Sequence, residues 1–245
     1  MAKAAPGEQL RLLDIQALDG KLRGLDVQAK ALKEDPRLPD LHGGVTAAKS
    51  DQVVMDTAVG DAQRVLTKAE DDVAAVVARI DRDEAKLNSG TGLSKDLMAL
   101  QSEIESLGRR RSELEDNELE AMETFEEAVA RQEAQRGLVQ QMQSVLDEVL
   151  DEVRSKLAGL KMERDATLAE RAELAATFDP ALLAIYDRTL AKYGVGAARL
   201  FHGKSEGSGM ELSAGDLVEI KKASADTIVF CPDSGAILVR SEEWG

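Results

Sequence analysis

Aliphatic side chains recur at alternating spacings of three and four along most of this chain, and that pattern admits few folds. Ile15, Leu18, Leu22, Leu25, Ala29 and Leu32 form one series. Met55, Val59, Ala62, Leu66, Ala69, Val73, Val76 and Ile80 form a second, which resumes at Leu87 after Asp83. A third opens at Leu97, Leu100, Ile104, Leu107 and Leu114. It returns at Leu138, Met142, Val145 and Val149, with Leu157, Leu160 and Leu168 beyond. Such spacing lines one stripe of a helix for burial against another helix. The drift of large residues near Leu119 and Met122 predicts a stutter, a local change of supercoil. Gly60, Gly108, Gly137 and Gly159 fall inside these helices and are read as bends or points of close helix approach.

Two breaks divide the pattern. Asp35-Pro36-Arg37-Leu38-Pro39, followed by His42-Gly43-Gly44, predicts an interruption over 35–44 with His42 in a loop. Asn88-Ser89-Gly90-Thr91-Gly92 predicts a turn over 88–94, with Ser94 as N-cap of the next helix. That third helix would run from about 95 to 177, roughly 120 Å at 1.5 Å per residue. The simplest arrangement folds the first two helices back along it as a long antiparallel hairpin with its tip at 88–94.

Aromatic residues mark a second boundary. Phe178, Tyr186, Tyr193, Phe201, Phe230 and Trp244 all lie in the last 68 residues, and only Phe125 precedes them. A small core needs large side chains, whereas a coiled-coil seam is filled by Leu, Val, Ile and Ala. Phe178-Asp179-Pro180 is placed as the break, giving a hairpin over 1–177 and a tail domain over 178–245. The tail reads as an amphipathic helix from Pro180 to Tyr193, a strand from Val195 to Phe201, and a brief helix capped by Ser213. A β-hairpin then joins Thr227–Phe230 to Ala236–Arg240. The fold class is mainly α, with a long antiparallel coiled-coil hairpin and a small α+β tail.

Within the tail, the sole cysteine opens Cys231-Pro232-Asp233-Ser234-Gly235, a turn of the zinc-knuckle kind with serine in the second ligand position. Ser205-Glu206-Gly207-Ser208-Gly209 is a matching turn. With cysteine at 205, 208 and 234 the pattern would be CxxC…CxxC, a four-thiolate zinc signature. A serine hydroxyl does not ionise near neutral pH as a thiolate does, so zinc is expected to be lost. Phe201, Met210, Leu212, Ile228, Phe230, Ile237 and Leu238 are the expected apolar core that compensates. His202 with Cys231 and Asp233, or other acidic residues, would be the donors of any altered metal site.

The order of these parts resembles a bacterial family of coiled-coil hairpin proteins with a C-terminal C4-type zinc ribbon. The resemblance rests on Pro180-Ala181-Leu182-Leu183-Ala184-Ile185-Tyr186, Met210-Glu211-Leu212-Ser213 and Cys231 to Arg240, and on Leu93 to Ile104 after the hairpin turn. It implies an adaptor. In some flagellated bacteria a relative regulates flagellar genes through an alternative sigma factor and a messenger RNA. The positions matching the family's metal ligands are Ser205, Ser208, Cys231 and Ser234, so family zinc binding does not transfer with the fold.

Charge narrows the partners. The chain carries 31 Lys and Arg against 46 Asp and Glu, a formal net charge of −15. Residues 178–245 hold seven basic and ten acidic side chains. Such a surface repels polyanions unless bases cluster. Arg109-Arg110-Arg111 is the one cluster and a candidate interaction surface. It lies among Glu103, Glu105, Glu113 and Glu115, which favours a solvated, salt-bridged face. One cysteine excludes an internal disulfide, and with no apolar leader the expected compartment is the cytoplasm. No phosphate loop, catalytic triad or paired-carboxylate motif stands out. The sequence therefore favours a non-enzymatic adaptor for a protein partner, without cofactor. The alternative is a nucleic-acid-binding regulator of the zinc-ribbon type.

Overall fold

The computed structural model describes residues 3–241 and Trp244. Three long helices dominate: α1 (Pro6–Lys33), α2 (Arg37–Ser89) and α3 (Ser94–Ala175). Shorter elements follow: α4 (Pro180–Tyr193), β1 (Ala197–Phe201), β2 (Lys204–Ser205), α5 (Ala214–Lys222), β3 (Val229–Phe230) and β4 (Ile237–Arg240). The fold is the expected one, a long antiparallel helical hairpin with a small strand-containing tail. None of the described helices is long and apolar enough to cross a membrane.

The break before α2 is shorter than the sequence predicts. Helix α1 ends at Lys33 and α2 begins at Arg37, so His42, Gly43 and Gly44 are helical rather than looped. Proline in a first turn removes an N–H that has no intrahelical partner, so Pro36 and Pro39 start this helix rather than break it. Gly44 has a packing reason instead, since a Cβ there would sit 2.7 Å from Met142 Cε. At Gly60, Gly108, Gly137 and Gly159 an added Cβ would meet nothing within 4 Å, so close helix approach does not account for them. The turn at the tip ends α2 with Gly90 in the left-handed region, φ 64°.

Contacts divide the chain into two compact units. One is Pro36–Asp151, which holds α2 and the first part of α3. Its pairs are antiparallel: Lys49 with Gln143, Asp56 with Gln132 and Arg136, Arg79 with Glu103. Val45, Ala48, Ala62, Leu66, Leu114, Ala121, Ala128 and Leu146 are its buried apolar residues. Near 119–122 the seam keeps its spacing and changes its filling. Ala121 and Ala128 are buried and Glu118, Phe125, Gln132, Gln135, Val139 and Met142 half-buried, while Leu119 is 58% exposed. The expected stutter at that point is therefore a change of side-chain size. Leu138 and Val145 also face outward, and Val139 and Leu146 take the seam.

The other unit joins the described residues up to Asp35 with those from Glu152 onward. Helix α1 runs antiparallel to 152–175, with Asp26 on Arg164, Lys21 on Glu163 and Arg11 on Thr177. Asp179 caps α4 by accepting from the Ala181 and Leu182 amides. The sheet has the order β2-β1-β4-β3. Strands β3 and β4 form the predicted antiparallel pair, and β4 also pairs with β1 in parallel.

The two faces of that sheet are covered differently. Leu12, Ile15, Phe178, Leu182, Tyr186, Ile237 and Val239 pack on one side, under α1 and α4. Leu200, Leu212, Ile220, Cys231 and Leu238 pack on the other, under α5. Of the expected core, Leu212, Ile228, Ile237 and Leu238 are buried, whereas Met210 is 58% and Phe230 47% exposed. Phe201 is half-buried and lies edge-on to the exposed His202. For Phe230 the correction follows from position, because β3 is an edge strand of the sheet.

Candidate functional site

The two knuckle turns are built alike. In the first, the Ser205 amide donates to Met210 O (3.0 Å) and the Gly209 amide to Ser205 O (2.8 Å). In the second, the Cys231 amide donates to Ala236 O (2.8 Å) and the Gly235 amide to Cys231 O (2.9 Å). Each turn closes on a glycine in the left-handed region, Gly209 at φ 71° and Gly235 at φ 69°. The turns also face each other. A Cβ on Gly207 would lie 3.0 Å from Ser234 Oγ and 2.8 Å from Ala198 Cβ.

Three of the four ligand positions converge. Cys231 is buried, and its sulfur accepts from the Ser234 amide at 3.5 Å. Burial works against the thiolate, but the Ser205 and Ser234 hydroxyls and the amides of Ser234 and Asp233 outweigh it and hold the thiol below its ordinary pKa. Ser205 Oγ is fully buried and makes no hydrogen bond of normal geometry, though its dipole still favours the Cys231 thiolate. Ser208 is not among the groups that act on Cys231, and its hydroxyl accepts from the Met210 amide of its own turn at 3.3 Å.

This donor set does not fit a structural zinc ion. One sulfur and three hydroxyls stand where four ionisable donors are needed, and the Ser208 and Ser234 oxygens already accept from backbone amides. His202 is exposed in the β1–β2 turn at φ 47°. Among the described residues, no three His, Cys, Asp or Glu side chains come together as a metal would require. Of the basic run, Arg110 pairs with Glu113 (3.0 Å) and Arg111 with Glu115 (2.6 Å), all on exposed helix surface. Arg109 makes no ion pair among the described residues.

The most elaborate polar site is one the sequence reading missed. Arg171 of α3 donates to Asp19 of α1 through Nε (2.6 Å) and Nη2 (3.2 Å), and to Asp187 of α4 (2.8 Å). The Tyr186 hydroxyl donates to Asp19 Oδ2 at 2.7 Å. Gln16 Oε1 accepts from the Gly196 and Ala197 amides at 2.7 and 3.1 Å. Burial first, then the neighbouring Asp19 carboxylate, pushes the Tyr186 pKa well above its ordinary value. The Asp19 hydrogen bond keeps the Arg171 guanidinium firmly charged, against the lowering effect of burial. One network thus joins α1, α3, α4 and β1. Its trace in the sequence is an aspartate at a seam position, four residues after Ile15. Arg240 is a second missed anchor, with its guanidinium donating to the carbonyls of Ala223, Ser224, Ala225 and Thr227 at 2.8–3.1 Å.

Comparison with known proteins agrees with this architecture. Residues 15–194 match the CT398-like coiled coil hairpin domain, and residues 204–238 match a C4-type zinc ribbon domain. The uncharacterized protein Rv2229c of Mycobacterium tuberculosis is 33% identical over 240 residues, 98% of either chain. The uncharacterized protein ML1638 of Mycobacterium leprae is 28% identical over 220 residues, 90% of this chain and 95% of its own. A solved structure from Mycobacterium smegmatis superposes with a TM-score of 0.80 at 28% identity, covering 97% of this chain and all 100% of that one. CT398 from Chlamydia trachomatis shares the fold at TM-score 0.60 and 18% identity, over 96% of this chain and 98% of that one.

Proposed function

This chain belongs to the CT398-like coiled-coil hairpin family, and we propose that it is a non-enzymatic cytoplasmic adaptor that holds a protein partner on its helical hairpin or its ribbon-like tail, without zinc. The observation that carries this reading is the distribution of charge. Acids outnumber bases along the chain and within 178–245, and two arginines of the one basic run are already paired with glutamates. A phosphate backbone would meet net repulsion there, whereas a protein partner would not. Cys231 is held by hydroxyls and amides rather than by a histidine, which suits a structural thiol better than a nucleophile. A single buried thiol also suits a reducing compartment.

The test is binding of the full protein to mixed-sequence single- and double-stranded nucleic acid at about 150 mM salt. No binding is expected. A partner captured from native cytosol should be retained after nuclease treatment. Micromolar or tighter binding that weakens steeply with added salt would overturn the adaptor reading in favour of a nucleic-acid-binding regulator of the ribbon type.

A further inference from the structure

The knuckle side of the tail carries an exposed aromatic pair beside two bases that no acid neutralises. Phe230 is 47% exposed on the edge strand β3, and Tyr193 is 49% exposed at the end of α4. With Ile185, Arg188 and Lys192, they line a concavity of about 420 Å³. Phe230 faces this way by register. It stands opposite Ile237, whose side chain packs on the α1 and α4 face, while its neighbour Val229 stands opposite Leu238 on the α5 face.

The lining is fixed in place. The Tyr193 ring sits against Gly235, where a Cβ would come within 2.6 Å of Tyr193 Cε2. Gly235 is at φ 69°, so the second knuckle holds that close approach open. Arg188 and Lys192 lie four residues apart on one helix face. Arg188 Nε donates to the Ala184 carbonyl of its own helix, and Lys192 Nζ lies 4.8 Å from the Tyr193 ring centroid. Neither makes an ion pair among the described residues.

The opposite side of Phe230 has the opposite charge. A second concavity of about 390 Å³ runs between β3 and α5, lined by Ile220, Phe230 and Pro232 and by the acids Asp216 and Glu219. Asp216 is engaged by the Ser213 hydroxyl (2.6 Å), and Glu219 by the exposed Lys222 (2.7 Å). Phe230 is therefore an apolar ridge with unpaired bases on one side and acids on the other. Arg188 and Lys192 stand here beside an exposed aromatic pair, and an apolar side chain flanked by acids would complement both.

We propose that this ridge docks a segment of a partner protein that lays an apolar side chain against Phe230 and Tyr193 and directs acidic side chains at Arg188 and Lys192. Basic residues on the far side of the same segment meet Asp216 and Glu219 and fix its direction. The inference rests on the adaptor reading and narrows it to one surface and one partner chemistry.

The probe is a library of random dodecapeptides displayed on phage and selected against the full chain. The expected winners join a bulky apolar residue to Asp or Glu within one helical turn. A labelled winner should bind about tenfold more weakly to Phe230→Ser and to Arg188→Glu/Lys192→Glu, because each removes one half of the complementarity. Replacing the peptide's acids by lysine should restore binding to the doubly reversed variant. All substituted side chains are exposed, and unchanged helical circular dichroism checks the fold. Selection of no binder, winners without acids, or equal binding to the reversed variant would overturn the proposal. So would binding of oligo(dT) at about 150 mM salt that depends on the same bases, which assigns the surface to nucleic acid. A cytosolic partner retained equally by wild type and the reversed variant would sink this surface and leave the adaptor reading standing.

Discussion

Removing Asp19 should loosen the hold of α1 on the tail unit. The carboxylate is 8% exposed and accepts from Arg171 twice and from Tyr186 once. Breaking a fully buried ion pair by truncating one partner costs about 3–5 kcal/mol. Arg171 keeps 22% of its side-chain exposure, so water re-solvates part of what is lost. The expected cost of Asp19→Ala is then about 2–3 kcal/mol, or a fall in melting temperature of about 5–10 °C. Tyr186→Phe removes one hydrogen bond to a charged acceptor and keeps the ring packed against Gly196, so about 1.5–2 kcal/mol is expected. Trp244 is the only tryptophan and packs against the α5-side core, so its fluorescence reports unfolding of this unit in urea. The two changes share one oxygen pair, so the double variant should cost less than their sum by about 1 kcal/mol. An unchanged urea midpoint for Asp19→Ala, or strict additivity in the double variant, would refute the claim that this network holds α1 to the tail.

Two further outcomes follow from the same side chains and the knuckles. The Tyr186 pKa is raised by burial and by Asp19, so its contribution to stability is fully present below the unfolded tyrosine value and fades as pH rises through the folded one. The urea midpoint should therefore fall above about pH 10 in the wild type and fall less steeply in Tyr186→Phe; parallel pH profiles would contradict this. For the metal, protein purified without chelator should hold well under one zinc per chain, and EDTA should leave its melting temperature unchanged. Stoichiometric zinc that disappears in Cys231→Ser would show that the ribbon still uses its one sulfur as a ligand.

The parts of this structure that sequence reading reaches are those set by local rules. The seam of α2 is legible from Met55 to Leu87 because the three-four spacing is a property of one helix, and each of its positions is at least half-buried. The seam of α3 fades to the reader where Glu118, Gln132 and Gln135 occupy it, because periodicity is read from large apolar residues and burial is not confined to them. The break before α2 is overextended for a related reason, as a proline that ends one helix and a proline that begins the next look the same in sequence.

What stays hidden is non-local. Nothing near Asp19 names Arg171, 152 residues away, so an acid on a seam is visible while its partner is not. The same holds for the assignment of α1 to the tail and for the parallel pairing of β1 with β4. The knuckles combine both cases. Their backbones are set locally, by Gly209 and Gly235 and by amide bonds that close each turn without using a ligand side chain. Their stability is set at a distance, where Leu12 and Ile15 of α1 pack with Ile237 and Val239 on the face of the sheet opposite α5. A ribbon whose turns close on backbone bonds and whose sheet is covered on both faces has less need of a metal crosslink. Serine at three ligand positions is what such a fold can tolerate, and one sulfur cradled by two hydroxyls and two amides is what remains.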